Sequence, residues 1–179
     1  INTPAASSES VAELVFAHLF GGVRFLYDAN RNMPLEGDSN FKELKKSYSK
    51  GTELRGKTLG IFGFGNIGQA TAKLGIGAGM NVVYCDPEVS NATIELTFFD
   101  GQKVTFALKN TEKSELIKNA DYISLHIPDQ KSYVIGKEEL SQMKKGVGIV
   151  NAARGGVIDE VALVEALENG TVSFAGLDV

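Results

Sequence analysis

The chain has 179 residues, a net charge of −4, 43% hydrophobic and 22% charged residues, and one cysteine, Cys85. One cysteine excludes an intramolecular disulfide and a cysteine-rich zinc site, and the charge argues against a surface for nucleic acid or an anionic membrane. The length suits one domain, no apolar run approaches the roughly 20 residues that span a bilayer, and no basic leader opens the chain, so a cytoplasmic domain is expected.

Ser7 to Asn30 is predicted as a helix, with Ser7 or Ser8 as its cap and Val11, Leu14, Val15, His18 and Leu19 at helical spacing. Gly21-Gly22 inside it predicts close packing or a bend. Met33 to Lys50, with Pro34 and Gly37, predicts an extended arm with one short helix. Thr58–Phe62 is a short apolar run, Asn66–Gly77 a helix and Asn81–Cys85 another apolar run. From Thr93 to Leu108, two alternating runs flank Asp100-Gly101, which predicts a β-hairpin insertion. Beyond it come a helix over Glu112–Ala120, a strand over Tyr122–Ile127, a helix over Lys137–Lys144, a strand over Val147–Ala152, a helix over Asp159–Asn169 and a strand over Phe174–Val179. Strands alternating with helices predict an α/β fold: a Rossmann-type, doubly wound parallel sheet with helices on both faces, led in by the N-terminal helix.

Gly63-Phe64-Gly65-Asn66-Ile67-Gly68 follows a predicted strand and opens a predicted helix, and Asp86 ends the next strand 23 positions after the first glycine. That spacing and context are what a dinucleotide site needs. Gly63 makes the tight turn, Gly65 admits a pyrophosphate against the backbone, and Gly68 lets helix and strand approach. The helix start, at Asn66 and Ile67, attracts the phosphates. Asp86 can accept from ribose hydroxyls and would repel a 2′-phosphate, which favours NAD over NADP. A plain strand–turn–helix with Asp86 in a loop is the simpler alternative.

Ligands of open parallel sheets bind beyond the carboxyl ends of the strands. There the chain places Gly63, Asp86, His126-Ile127-Pro128, Asn151-Ala152-Ala153-Arg154-Gly155-Gly156 and Asp178. Arg154, between small residues, is free to grip a carboxylate through its fork, or it could serve in a surface ion pair. His126 reads as a strand-end residue beside the cofactor, with an acid–base role as the alternative. His18 reads as packed, and Cys85 as a packed rather than a reactive thiol.

The glycine motif, His126-Ile127-Pro128 and Asn151-Ala152-Ala153-Arg154-Gly155-Gly156-Val157-Ile158-Asp159-Glu160 resemble the D-isomer-specific 2-hydroxyacid dehydrogenases. So do Asn2-Thr3-Pro4 with Val11-Ala12-Glu13-Leu14, and the closing Gly176-Leu177-Asp178-Val179. The resemblance covers nearly the whole chain and leans toward members acting on 3-phosphoglycerate, a reaction that feeds serine synthesis.

That resemblance implies that residues 1–179 form one NAD-binding domain. Gly63, Gly65, Asn66, Ile67, Gly68, Asp86, His126, Ile127, Pro128, Ala152, Ala153 and Asp178 would contact NAD, with Asp178 near the carboxamide. Arg154 would be the catalytic arginine that holds the carboxylate of a small 2-hydroxyacid and polarises its carbonyl. The family's catalytic Glu and His, and its substrate domain, would lie outside the sequence, so a fragment that binds cofactor without turnover is expected. Such members dimerise through the nucleotide domain, for which Phe16, Phe20, Phe25, Tyr27, Phe41 and Tyr48 are suited; packing within their own domain is the alternative. A metal site, nucleic acid and membrane are not expected. Two other functions remain open: an NAD(H)-sensing module of the co-repressor type, and a Rossmann domain for another regulatory ligand.

Overall fold

A computed structural model describes residues Ser7–Val179. The Asn2-Thr3-Pro4 part of the lead-in lies outside the described residues. The elements run α1 (Ser8–Val23), α2 (Leu26–Tyr48), β1 (Thr58–Phe62), α3 (Asn66–Gly77), β2 (Asn81–Cys85), β3 (Asn91–Thr97), β4 (Lys103–Lys109), α4 (Lys113–Asn119), β5 (Tyr122–Leu125), α5 (Lys137–Gln142), β6 (Val147–Asn151), α6 (Glu160–Glu168) and β7 (Val172–Leu177). Five strands form one sheet in the order β2-β1-β5-β6-β7, every pair parallel.

Both faces of that sheet are covered, and the strands show why they read as continuous apolar runs. Side chains alternate between faces along a strand. Ile123 and Ile149 enter a core with Leu116, Leu140 and Leu163, from the helices α4, α5 and α6. Their neighbours Tyr122 and Val150 enter a second core with Val15, Leu19 and Ala72, from α1 and α3. With both faces buried, both are mostly apolar, with Ser124 and Asn151 as buried polar residues of these strands.

The predicted hairpin is present. β3 and β4 pair antiparallel, with Ile94 opposite Phe106 and Leu96 opposite Val104. At its turn Gly101 donates to Phe98 O, Phe98 donates to Gln102 O, and Asp100 Oδ1 accepts from Gln102 N–H at 3.0 Å. Gly101 takes the left-handed conformation, φ 84°, that closes this tight loop. Ile94 is 1% exposed and belongs to the α1/α3 core, so the hairpin is docked on the domain.

The lead-in departs from expectation. α1 ends at Val23, and Phe25, at φ 53°, breaks the predicted single helix in two. The stretch expected to be extended is mostly helical in α2, with Pro34 inside it. Pro34 and Gly37 suggested a breaker, but the surrounding Leu35, Glu36, Lys42, Glu43, Leu44 and Lys45 are strong helix formers. The interruption falls instead at Asn40, where φ −126° and ψ 22° leave the helix. The bend there is sharp: Tyr48 OH donates to Asp28 O at 3.2 Å, whereas 20 residues of straight helix would span about 30 Å. Asn32 Nδ2 also donates to Tyr48 OH at 2.9 Å, so the arm is folded back on itself.

The close packing expected at Gly21-Gly22 is realised at Gly22, where a Cβ would sit 2.5 Å from the Phe174 ring of β7. Among the described residues no single helix is long and apolar enough to cross a membrane.

Candidate functional site

The carboxyl ends of β1, β2, β5, β6 and β7 share one edge because all five strands are parallel. The edge is built outward from the glycine turn. Gly63 has φ 85°, and a Cβ there would overlap His126 O at the end of β5. A Cβ on Gly68 would run into Gly63 O, so the turn and the start of α3 can approach only as glycines. In front of Gly65 nothing lies within 4 Å of a Cβ position, and that residue is exposed. No side chain caps α3, whose first backbone bond runs from Gln69 N–H to Gly65 O. The first-turn N–H groups, Asn66 to Gly68, therefore face an open cradle carrying the positive end of the helix dipole. This arrangement fits a pyrophosphate.

Asp86 closes the next side. Its Oδ1 accepts from Glu88 N–H at 2.8 Å and Val89 N–H at 3.1 Å, and its Oδ2 from Phe64 N–H at 2.6 Å. Partial burial acts to raise its pKa, but the backbone donors Phe64, Glu88 and Val89 outweigh it and hold the carboxyl below its ordinary value. A carboxylate has about four acceptor positions, so about one remains for a ligand hydroxyl. Asn110, just past the hairpin, fixes the backbone of Asp86: Asn110 Oδ1 accepts from Asp86 N–H at 3.0 Å and Nδ2 donates to Asp86 O at 2.6 Å. Phe64, between the two glycines, is fully buried and stacks on Tyr84 at 3.8 Å.

His126 turns its ring inward. Nε2 lies 2.9 Å from Ser124 Oγ and 3.1 Å from Thr71 Oγ1, and both hydroxyl residues are fully buried. Burial lowers its pKa to about 4, so the ring is neutral at physiological pH. Its contribution to the edge is its backbone, against which Gly63 packs. Ile127 is half-buried and Pro128 exposed beside it.

Past β6, Ala152 and Ala153 are half-buried and Arg154 is exposed. Arg154 Nη1 donates to Ala153 O at 2.7 Å. Asn151, 2% exposed, bonds both Ala153 and Arg154, and Asp178 N–H donates to Asn151 O at 3.0 Å. Asp178 itself is exposed. The two candidate polar groups at β6 and β7 are therefore linked through one residue.

Other residues singled out from the sequence fall outside this edge. Cys85 is partly buried, and burial, then Glu112 and Asp86, push its thiol pKa up, so it packs as a protonated thiol. The His18 ring lies against Gly176 of β7. Phe16 is core, whereas Phe20, Tyr27 and Phe41 are 47%, 71% and 50% exposed. Among the described residues no group of three His, Cys, Asp or Glu could hold a metal ion. A cleft of about 830 Å³ lies away from this chemistry, between α1, α3 and β3, lined by Phe16, Phe20, Leu96 and Phe98. Its walls, which also include Lys73, Thr97 and the acids Glu9, Glu13 and Glu95, hold no part of the glycine turn, Asp86 or Arg154, so position rather than cavity size identifies the site.

Asn110, Asn151, Thr71 and Ser124 carry structural roles at the edge that the sequence did not expose. Their partners are distant or depend on loop geometry, and only Asn151 lay inside a recognisable motif.

Comparison with known proteins agrees with this geometry. Residues 16–179 match the model for "D-isomer specific 2-hydroxyacid dehydrogenase, NAD binding domain". The chain is 41% identical to a hydroxypyruvate reductase of Thermotoga maritima, over all of this chain and 53% of that protein. It is 40% identical to a D-3-phosphoglycerate dehydrogenase of Methanocaldococcus jannaschii, over all of this chain and 32% of that protein. The chain thus spans about half or less of the length of these relatives. Among solved structures, the NAD-dependent formate dehydrogenase of Staphylococcus aureus in complex with NAD superposes with a TM-score of 0.78 at 30% identity, over 97% of this chain and 48% of that one.

Proposed function

The chain belongs to the D-isomer-specific 2-hydroxyacid dehydrogenase family, as an NAD-binding domain, and from that premise we propose that its protein moves a hydride between a D-2-hydroxyacid and NAD. Bound NAD supplies the hydride acceptor, and its reduced form the donor. The residues of this chain bind and orient. The open N-terminus of α3 and Gly65 take the pyrophosphate, and Asp86 takes a ribose hydroxyl. Ile127, Pro128, Ala152, Ala153 and Asp178 line the nicotinamide end. Arg154 grips the substrate carboxylate and draws charge from the neighbouring carbonyl.

One observation carries this reading: Arg154 is exposed on the same carboxyl edge as the cradle and Asp86. Dinucleotide binding alone does not require an arginine there, whereas a 2-hydroxyacid brings a carboxylate that pairs with one.

The substrate we propose is 3-phosphoglycerate. In support, D-3-phosphoglycerate dehydrogenases recur among the relatives at 37% to 40% identity. A hydroxypyruvate reductase stands at 41%, so hydroxypyruvate is the competing substrate. The test is NADH oxidation by the full-length protein with 3-phosphohydroxypyruvate, hydroxypyruvate and glyoxylate. A kcat/KM at least about tenfold higher for the phosphorylated acid is expected. Preference for hydroxypyruvate would correct the substrate and leave the reaction class standing; failure with all three, NADH bound, would sink the reaction itself.

We further propose a homodimer through this domain. The exposed Phe20, Tyr27 and Phe41 of the lead-in support it, because aromatics are enriched at interfaces. Sedimentation of the full-length protein tests it, and a monomer at micromolar concentration would overturn it.

A further inference from the structure

Asn151 is the last residue of β6 and is 2% exposed. Its side chain turns back on the loop that follows. Oδ1 accepts from Ala153 N–H at 3.1 Å, and Nδ2 donates to Arg154 O at 2.9 Å. The peptides on either side of the one joining Ala153 and Arg154 are therefore held. The peptide they flank supplies the carbonyl, Ala153 O, to which Arg154 Nη1 donates at 2.7 Å. The backbone carbonyl of Asn151 also accepts from Asp178 N–H at 3.0 Å. One buried residue thus ties the end of β6 to the end of β7 and to the arginine between them.

We propose that Asn151 is a positioning residue for the reaction: its carboxamide holds the backbone of Ala153 and Arg154 on both sides of the peptide that joins them, and so aims the Arg154 guanidinium at the substrate carboxylate. The inference rests on the role given to Arg154 above.

The chemistry of the position is restrictive. It needs an acceptor for one N–H and a donor for one carbonyl on the same short, buried side chain. An amide provides both without charge. A serine reaches one partner only. An aspartate has the right shape, but when ionised it places a carboxylate oxygen against Arg154 O, with no hydrogen between them. When protonated, its O–H restores the missing donor. Burial favours the protonated form and the neighbouring Arg154 charge the ionised one, so the exchange is followed across a pH range.

Asn151→Asp in the full-length enzyme is therefore the informative variant. The measurements are KM and kcat for the 2-oxo acid it reduces best, at pH 8 down to pH 5.5, together with the Kd of NADH by fluorescence. At pH 8, KM should rise about tenfold or more, as expected for loss of one buried bond with a new repulsion, while the NADH Kd holds. As pH falls, the KM of the variant should return toward wild type. The wild-type amide has no proton to gain, so the recovery is read in the ratio of variant to wild-type KM at each pH, which cancels the titration of other groups. Asn151→Ser, which keeps the Ala153 bond and drops the other, should raise KM with no acid recovery.

A purely architectural role for Asn151 would weaken NADH and oxo-acid binding together, and that pattern overturns the proposal. A wild-type KM in Asn151→Ser also overturns it, even if the Asp variant fails to fold. Arg154→Lys is measured in parallel. If its KM is unchanged, the role of Arg154 falls and the proposal falls with it. If Arg154→Lys is impaired while Asn151→Asp is not, only the positioning role of Asn151 is overturned.

Discussion

The N–H of Phe64, between the first two glycines of the turn, donates to Oδ2 of Asp86 at 2.6 Å. The acid that ends β2 is thus a brace for the glycine loop as well as a candidate ribose ligand. Changing it removes both.

Asp86→Ala should therefore weaken NADH most, since it loses both, while NADPH loses the brace but also the repulsion of its 2′-phosphate and changes less. Losing a charge-assisted brace and a ligand bond together corresponds to about 2–4 kcal/mol, or roughly 30-fold or more in Kd. Calorimetric titration of both cofactors measures it; unchanged NADH binding in the variant would show that the brace is dispensable. The sign with pH follows from the lowered pKa. Its stabilisation is complete above the ordinary carboxylate range near pH 4 and is lost as pH falls through the lower folded-state value.

Gly68→Ala puts a methyl group against Gly63 O, a backbone atom that cannot swing aside. A loss of about 2–3 kcal/mol of unfolding free energy is expected, with weaker NADH binding, because turn and helix must separate. Thermal unfolding and titration read the two effects. Gly65→Ala, with open space in front of it, should leave stability within about 1 kcal/mol and affect the cofactor alone.

His126 should titrate near pH 4 when followed by NMR of its ring, far below the ordinary value of 6.5. The folded pKa is depressed, so the unfolded chain takes up this proton first as pH drops. Stability is complete above about pH 6.5 and declines between there and pH 4, by up to about 3 kcal/mol. His126→Phe would flatten that part of the stability–pH curve; an unchanged curve would refute the assignment.

Ile94→Ala in the hairpin should cost about 2–4 kcal/mol, because the side chain is buried in the α1/α3 core. Phe99→Ser at the fully exposed tip should change stability by less than about 0.5 kcal/mol. Denaturant unfolding of the pair distinguishes a docked hairpin from a loose one.

Where the local pattern and the tertiary structure ask for the same thing, the chain was legible. Thr58–Phe62, Asn66–Gly77 and Asn81–Cys85 have their predicted limits because apolar runs, a glycine turn and a helix start all agree. The hairpin was visible in its period-two alternation. The arm was not: Pro34 and Gly37 are breakers by type, yet neither ends the helix, and the bend at Asn40 is held by Tyr48, which meets Asp28 and Asn32 only after folding. The same limit applies to the site. The chemically distinctive residues, from Gly63 to Asp178, could be named in advance. Asn110 and Thr71, ordinary polar residues, gain meaning only from Asp86 and His126 being brought to them.

The placement of β1 between β2 and β5 also sets an order of assembly. Its pairing with β2 closes over a short stretch of chain, Leu59 with Val82, while its other edge waits for Tyr122 of β5. As the chain leaves the ribosome, β1, α3 and β2 can join first, and the hairpin, paired only with itself, can form while the second edge of β1 is still bare. That bare edge, rich in apolar residues, is open to wrong partners until the polypeptide has grown past Leu125.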